Sequence, residues 1–393
     1  MSAPLAIPHY TLTSALGRGR VAHVQALAEG RGGLRATPFA DCTLPCFTGV
    51  VDGLETALTG SLAAWDCRNN RLAELGLQQD GFADAVAALS GRYGAERIGV
   101  FIGTSTAGVR QTEQAYAARQ RDGNLLPEWF DYRRTQNTFS VAHYVQLRLG
   151  LCGVVLAVST ACSSSAKVFA SASRAIAAGL CDAAVVGGVD SLCLTTLYGF
   201  NALQLVSPEP CRPCDAERRG ISIGEAAGFA ILDPAAAAPF APLGYGESSD
   251  AHHMSAPEPE GRGAQQAMQA ALLRAGLAAT EIDYVHLHGT ATPANDLAED
   301  KGVNACVGAV TPRSSTKGFF GHTLGAAGMV GAAVALIALE QQRLPQSLNT
   351  RSVDPAIGGR VLLAPLATPV RRVLTNAFGF GGNNAALLIG AGE

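Results

Sequence analysis

The chain has 393 residues, of which 48% are hydrophobic and 16% charged, and 45 of them are glycine. That length exceeds what a single core usually serves, so two domains or two similar halves are expected, and the composition excludes intrinsic disorder. A formal net charge of -3 gives no basis for nucleic acid or an anionic membrane as the main partner. The opening stretch, Met1 to Tyr10, lacks a basic segment followed by an apolar one. No uninterrupted apolar run is long enough to span a bilayer, so a cytoplasmic protein is expected.

Tyr10 to Gly17 reads as a strand and turn, followed by an amphipathic helix from about Arg20 to Glu29 that stops at Gly30. The apolar runs Arg97–Gly103, Val154–Ser159 and Ala183–Val189 read as buried strands, and a small-residue helix over 163–179 joins the last two as a βαβ unit. The Pro- and Ala-rich stretch Asp233–Pro242 is the clearest break in composition and divides the chain into 1–235 and 236–393. Beyond it the spacing predicts a helix over 263–275, a strand over 284–288, a helix over 325–341, and strands near Val373 and over 385–389.

Three segments carry reactive side chains. Val158 to Ala166 places Cys162 where an apolar strand ends and a helix begins; there the helix dipole and unpaired N–H groups are expected to favour thiolate and to form an oxyanion hole. Tyr284 to Pro293 puts His288 at the mouth of a strand, with His286 deeper on the same face. Ser315 to Gly328 holds Lys317 and then His322 in a glycine-flanked loop, before an Ala/Gly helix that must approach another backbone closely. Singly, a strand-end cysteine is more often structural and a loop histidine more often merely satisfied. A thiol, two loop histidines and a lysine together point to acyl-thioester chemistry: two neutral imidazole N–H groups can hold the oxygen of an enolate formed when a malonyl thioester loses its carboxylate.

Ten cysteines stand without paired spacing and are expected as free thiols apart from Cys162. Cys211-Arg212-Pro213-Cys214 has redox or zinc-knuckle spacing, but no second Cys/His pair stands at metal-site distance, so no metal is expected. No glycine cluster forms a dinucleotide fingerprint, and no cofactor is expected.

These three segments, together with Asn376–Asn384, resemble in order and over nearly the whole chain the elongating β-ketoacyl-(acyl carrier protein) synthases of fatty-acid and polyketide synthesis. The resemblance implies an α/β, five-layered α-β-α-β-α thiolase-like fold built from two similar halves, the first carrying Cys162 and the second both histidines. It implies that Cys162 carries the acyl chain, that His288 and His322 assist decarboxylation, and that Lys317 and Glu299 form a supporting charged pair. Thr290 and Thr292 match contacts to the carrier's pantetheine arm. Phe380 matches an aromatic gate with Phe378 beside it, and Thr106 matches the position that sets acyl-pocket depth. Arg212 matches a basic residue that docks the acidic carrier, and Arg68 and Arg71 fall near another such cluster. The implied partners are an acyl carrier protein bearing phosphopantetheine-linked acyl and malonyl groups, and a second subunit in a homodimer or heterodimer.

The chain departs from the family pattern at Asn383, where threonine is common, and in a shortened Val206–Cys211 segment. Its opening, Ile7–Tyr10, also lacks the usual glycine-rich start. These departures suggest a specialised polyene or polyketide pathway. A silent, chain-length-factor-like partner is the alternative reading, and retention of the cysteine and both histidines argues against it. The Lys317-to-His322 spacing belongs to the elongating type rather than to a thiolase or starter-unit synthase. A Cys-His hydrolase would need an open water path.

Overall fold

The computed structural model describes residues 5–36, 39–119 and 125–391, so residues 1–4 of the opening stretch lie outside the described residues. The first sheet forms around Ile98–Gly103, every residue of which is buried. It pairs in parallel with Val155–Val158 on one side and Ala183–Asp190 on the other. Burial on both faces is what selects unbroken Val/Ile/Gly runs over alternating ones. Ala226–Leu232 then runs antiparallel to Ala183–Asp190, and Tyr10–Ser14 antiparallel to Ala226–Leu232.

The second sheet is built from Phe240–Ser249, Tyr284–His286, Arg313–Ser314, Arg372–Gly379 and Asn383–Ala391. Numbering the principal strands of each half in chain order, and setting aside the two-residue strand Gly17–Arg18, both sheets have the spatial order 3-2-4-5-1. The first two neighbour pairs in that order are parallel and the last two antiparallel in each sheet. The likeness of the halves, hidden in the side chains, is explicit in the topology.

Two helices lie back to back between the sheets. Ser164–Ala177 follows the nucleophile segment, and Ala327–Gln341 follows the second histidine; each packs on strands of both sheets and on the other. Arg68–Leu77, Phe82–Tyr93 and Ser140–Arg148 cover the outer face of the first sheet, and Arg262–Ala275, backed by Pro293–Val307, that of the second. The order is therefore helix, sheet, helix, sheet, helix, with the largest apolar cluster in the central layer. The expected helix over 20–29 spans Gly19–Glu29, ended by Gly30 in the left-handed region at φ 67°.

The helical stretch Leu324–Gln341 has 18 residues and is long and apolar enough to cross a membrane, which corrects the expectation that no such run exists. Its apolarity has another cause: both sheets and the neighbouring helix surround it, and 83% of the stretch is buried. The backbone approach expected of this helix is real. A Cβ at Gly328 would lie 2.2 Å from the backbone nitrogen of Ala166, so only glycine lets the two central helices meet. Gly328→Val is expected to destabilise the chain by about 1–3 kcal/mol or more through overpacking. Urea unfolding checks this, and a midpoint equal to the parent's would contradict the contact.

Candidate active site

Cys162 sits in the turn between Val155–Val158 and the helix Ser164–Ala177, 6% exposed. The turn is held by its own hydroxyls: Ser163 Oγ donates to the Thr160 carbonyl at 2.8 Å and Ser164 Oγ to the Ala161 carbonyl at 2.5 Å. Ala161, just before the sulfur, has φ 51°, a left-handed conformation that costs a residue with a Cβ about 1 kcal/mol or more. Ala107, Ala291 and Leu324 share that conformation in the loops nearby. On the other side of the sulfur, a Cβ at Gly379 would meet the Cys162 nitrogen at 3.1 Å, so the glycine turn 379–382 closes directly over the cysteine.

His322 places its Nε2 2.9 Å from Cys162 Sγ. The His288 ring stands edge-on to that of His322, with centroids 5.2 Å apart. A ligating atom from each of Cys162, His288 and His322 falls within 4.8 Å of the other two. The structure thus unites three side chains that lie up to 160 positions apart.

Lys317 and Glu299 form no direct ion pair among the described residues; they hold His288 from its two backbone ends. Glu299 accepts the N–H groups of His288 and Gly289, each at 2.7 Å, and Lys317 Nζ donates to the His288 carbonyl. Asn376 Nδ2 completes the carboxylate at 3.1 Å. His286 is occupied elsewhere, bonded to Thr316 and Thr375.

Burial sets the protonation states. It drives His288 and His322 well below their ordinary 6.5, with Lys317 adding repulsion, so both rings are neutral. Burial also raises Glu299 to about 7 and lowers Lys317, whose charge Glu299 in turn favours. Cys162 reverses the expectation of a resting thiolate: burial pushes the thiol up to about 12, against the pull of Lys317 and of the Phe380 and Cys162 N–H groups. Loss of hydration outweighs the helix terminus, and the resting sulfur is a thiol.

A cavity of about 310 Å3 opens onto these groups, lined by Cys162, His288, His322, Thr290, Thr292 and Phe380 among others. The two threonine hydroxyls lie 2.9 Å apart in its wall. Phe378 packs 5.8 Å from the His288 ring, and Phe380 packs 5.4 Å from Phe200, an aromatic contact the sequence did not reveal.

Residues 76–238 match the family described as beta-ketoacyl synthase, N-terminal domain, and residues 242–351 its C-terminal domain. The chain belongs to the β-ketoacyl synthase family. It is 38% identical over 313 residues to 3-oxoacyl-[acyl-carrier-protein] synthase 2 of Rhizobium meliloti, covering 74% of this chain and 73% of that protein. The Vibrio cholerae protein of the same name is 31% identical over 396 residues, covering 93% of each. Among solved structures, the ketosynthase ApeO in complex with its chain length factor ApeC, from Xenorhabdus doucetiae, superposes with a TM-score of 0.91. That match is 36% identical and covers 99% of this chain and 98% of the other.

In this synthase the three arginines matched to carrier docking each pair with a carboxylate of the same chain. Arg68 grips the buried Glu225 at 2.9 and 2.5 Å, and Arg71 grips Asp66 at 2.7 and 2.6 Å. Arg212, 8% exposed, pairs with Glu209 at 2.6 Å. Each arginine is thus paired with a carboxylate of its own chain, Glu225 buried and Glu209 exposed. Thr106 is likewise committed and is not among the residues lining the cavity: its hydroxyl donates to Asp190 at 2.8 Å.

Asp190 is a site residue the sequence reading missed. Fully buried, it accepts from Thr104 Oγ1, from the N–H and hydroxyl of Ser105, from both groups of Thr106 and from the Gly325 N–H. It thereby ties the 104–106 loop to the segment carrying His322. The only signal was a single acid ending an apolar strand.

The buried rings make stability depend on pH. His23 and His286, lowered to about 4 and about 3, join His288 and His322 in staying neutral when folded. Below 6.5 the unfolded chain binds protons that the folded rings refuse, so stability falls with pH. Glu299 and Asp296, both raised by burial, act in the opposite direction. The histidines outnumber them, and each contributes a loss on the order of 1 kcal/mol per pH unit. Urea midpoints are therefore expected to fall from about pH 7.5 to about pH 5.5; an unchanged midpoint would contradict neutral buried rings.

Proposed function

We propose that this chain is an active elongating β-ketoacyl-(acyl carrier protein) synthase that joins an acyl group on Cys162 to a malonyl unit by decarboxylative Claisen condensation. The 2.9 Å approach of His322 Nε2 to Cys162 Sγ, beside a second neutral imidazole, carries this reading. In acylation the thiol attacks the acyl thioester, its proton passes to His322 Nε2 and on to the departing carrier sulfur, and the N–H groups of Cys162 and Phe380 hold the oxyanion. In condensation the malonyl thioester loses CO2, and an imidazole N–H from each histidine holds the enolate oxygen. The enolate carbon attacks the acyl carbonyl, the C–S bond to Cys162 breaks, and one proton is taken up to restore the thiol. Neither ring has an Nδ1 partner among the described residues, so neither tautomer is locked against this exchange.

Lys317 and Glu299 are positioning residues that fix the His288 backbone. Thr290 and Thr292 receive the pantetheine arm, and Phe380 gates the cavity with Phe378 at its side. Residues 1–235 and 236–393 are the working halves, a division supported by the repeated strand order. The full-length likeness to a ketosynthase found with its chain length factor supports a related subunit as partner; a specialised polyene or polyketide pathway in the cytoplasm is the setting assigned to the chain. The intact thiol and imidazoles favour the catalytic over the silent member of such a pair.

Given acyl- and malonyl-carrier substrates, Cys162→Ala is expected to lower product by on the order of a thousandfold. Mass spectrometry of the carrier reads this, and product at the parent's rate would sink the assignment. Arg219 is exposed, and the N–H of the next residue, Gly220, donates to the carbonyl of Ala291, which stands between the cavity-lining Thr290 and Thr292. Arg219→Glu is expected to raise KM for the carrier-bound substrate by about tenfold while sparing turnover of a pantetheine thioester. An unchanged KM would remove Arg219 from the docking face.

A further inference from the structure

We infer that Cys162, His288 and His322 together form a reversible inhibitory site for a soft divalent cation, with zinc the ion that best fits the donors. The inference uses the side chains of the proposed reaction but does not require that they catalyse it.

One sulfur and two imidazole nitrogens form the donor set of three-ligand zinc sites that keep a fourth position for water. All three residues are buried, and their donor atoms lie within 4.8 Å of one another. Zinc–ligand bonds of about 2.3 Å to sulfur and 2.0 Å to nitrogen place S and N roughly 3.5 Å apart around a tetrahedral ion. The Cys162–His322 separation of 2.9 Å must therefore open by a few tenths of an ångström, with the adjoining cavity giving room. Neutral rings have the free lone pairs that ligation needs, and no proton must leave them. The only exchange is at sulfur: the S–H bond breaks, a sulfur–zinc bond forms, and one proton goes to solvent.

Two features make such a site inhibitory rather than resident. Metal-bound histidines normally donate their second nitrogen to an acceptor, and losing that partner typically costs about 10–100-fold in affinity. Here the Nδ1 atoms of His288 and His322 have no partner among the described residues. The charges acting on the site are also mixed. Lys317 repels a cation, while Asp190, felt by the sulfur, and Glu299, felt by Lys317, offset it. Occupation would still be decisive, because a metal-held sulfur cannot take an acyl group and metal-held rings cannot hold an enolate oxygen.

Cobalt(II) added to the purified full chain is the direct probe, since thiolate–cobalt bonding gives a charge-transfer absorption. The expected result is one equivalent bound with that band, iodoacetamide excluded from Cys162, and near-complete loss of condensation with zinc that a chelator restores. The band should vanish in Cys162→Ala and persist in Cys152→Ser, which removes an exposed thiol away from the cavity. Absence of the band in the parent chain, or its loss only in Cys152→Ser, would overturn the inference. The protection of Cys162 from alkylation needs no variant, so misfolding of one leaves the test intact. A chain that binds cobalt through Cys162 yet makes no β-ketoacyl product would refute the proposed synthase activity and leave the metal site standing.

Discussion

Removal of water from around one sulfur and two imidazoles is the constraint on which the rest of this structure depends. In an exposed turn Cys162 would be an ordinary thiol and the histidines would be partly charged near neutral pH. Burial keeps the rings uncharged and the sulfur protonated, so proton transfer waits for substrate, and the imidazoles remain N–H donors rather than cations. The same dryness gives each hydrogen bond to a developing oxyanion more weight than it would have in water.

Keeping that pocket dry falls to the scaffold. Two sheets of identical strand order enclose the central helices; Cys162 and His322 emerge where those helices begin, and His288 just past the end of a strand. Such closeness demands unusual backbone: left-handed Ala161, Ala291 and Leu324 in the site loops, and glycines at 328 and 379 where any Cβ would strike a neighbouring backbone. Buried carboxylates then fix the loops through N–H groups. Glu299 fixes the His288 turn, and Asp190 ties the 104–106 loop to Gly325. Neither acid has a cation in contact among the described residues, so these clusters are held by oriented amides and hydroxyls.

The strand-to-helix turn of Cys162, the loop positions of both histidines and the approach of the Ala/Gly helix were legible because each leaves a local mark: an apolar run that stops, a glycine-flanked ring, a run of small residues. The βαβ unit around 155–190 was legible for the same reason. The 3-2-4-5-1 repeat was not, since strand order is a non-local property and the two halves share too few residues. The resting state of Cys162 was misread because the helix terminus is visible in the sequence and the depth of burial is not. The pairing of Arg68 with Glu225 was not legible either, because Glu225 lies 157 positions away. Asp190 and the Phe200–Phe380 contact likewise join distant segments and had no periodic or motif signature.

The central claim, that exclusion of water sets the chemistry of the sulfur, is tested most directly by the rate at which a small neutral alkylating agent modifies Cys162 as pH is raised. A thiol held up to about 12 beside a neutral ring predicts a rate that climbs with pH through and beyond the ordinary cysteine value of about 8.5, without levelling. A plateau already reached below neutrality would reveal a resting thiolate–imidazolium pair and contradict the account.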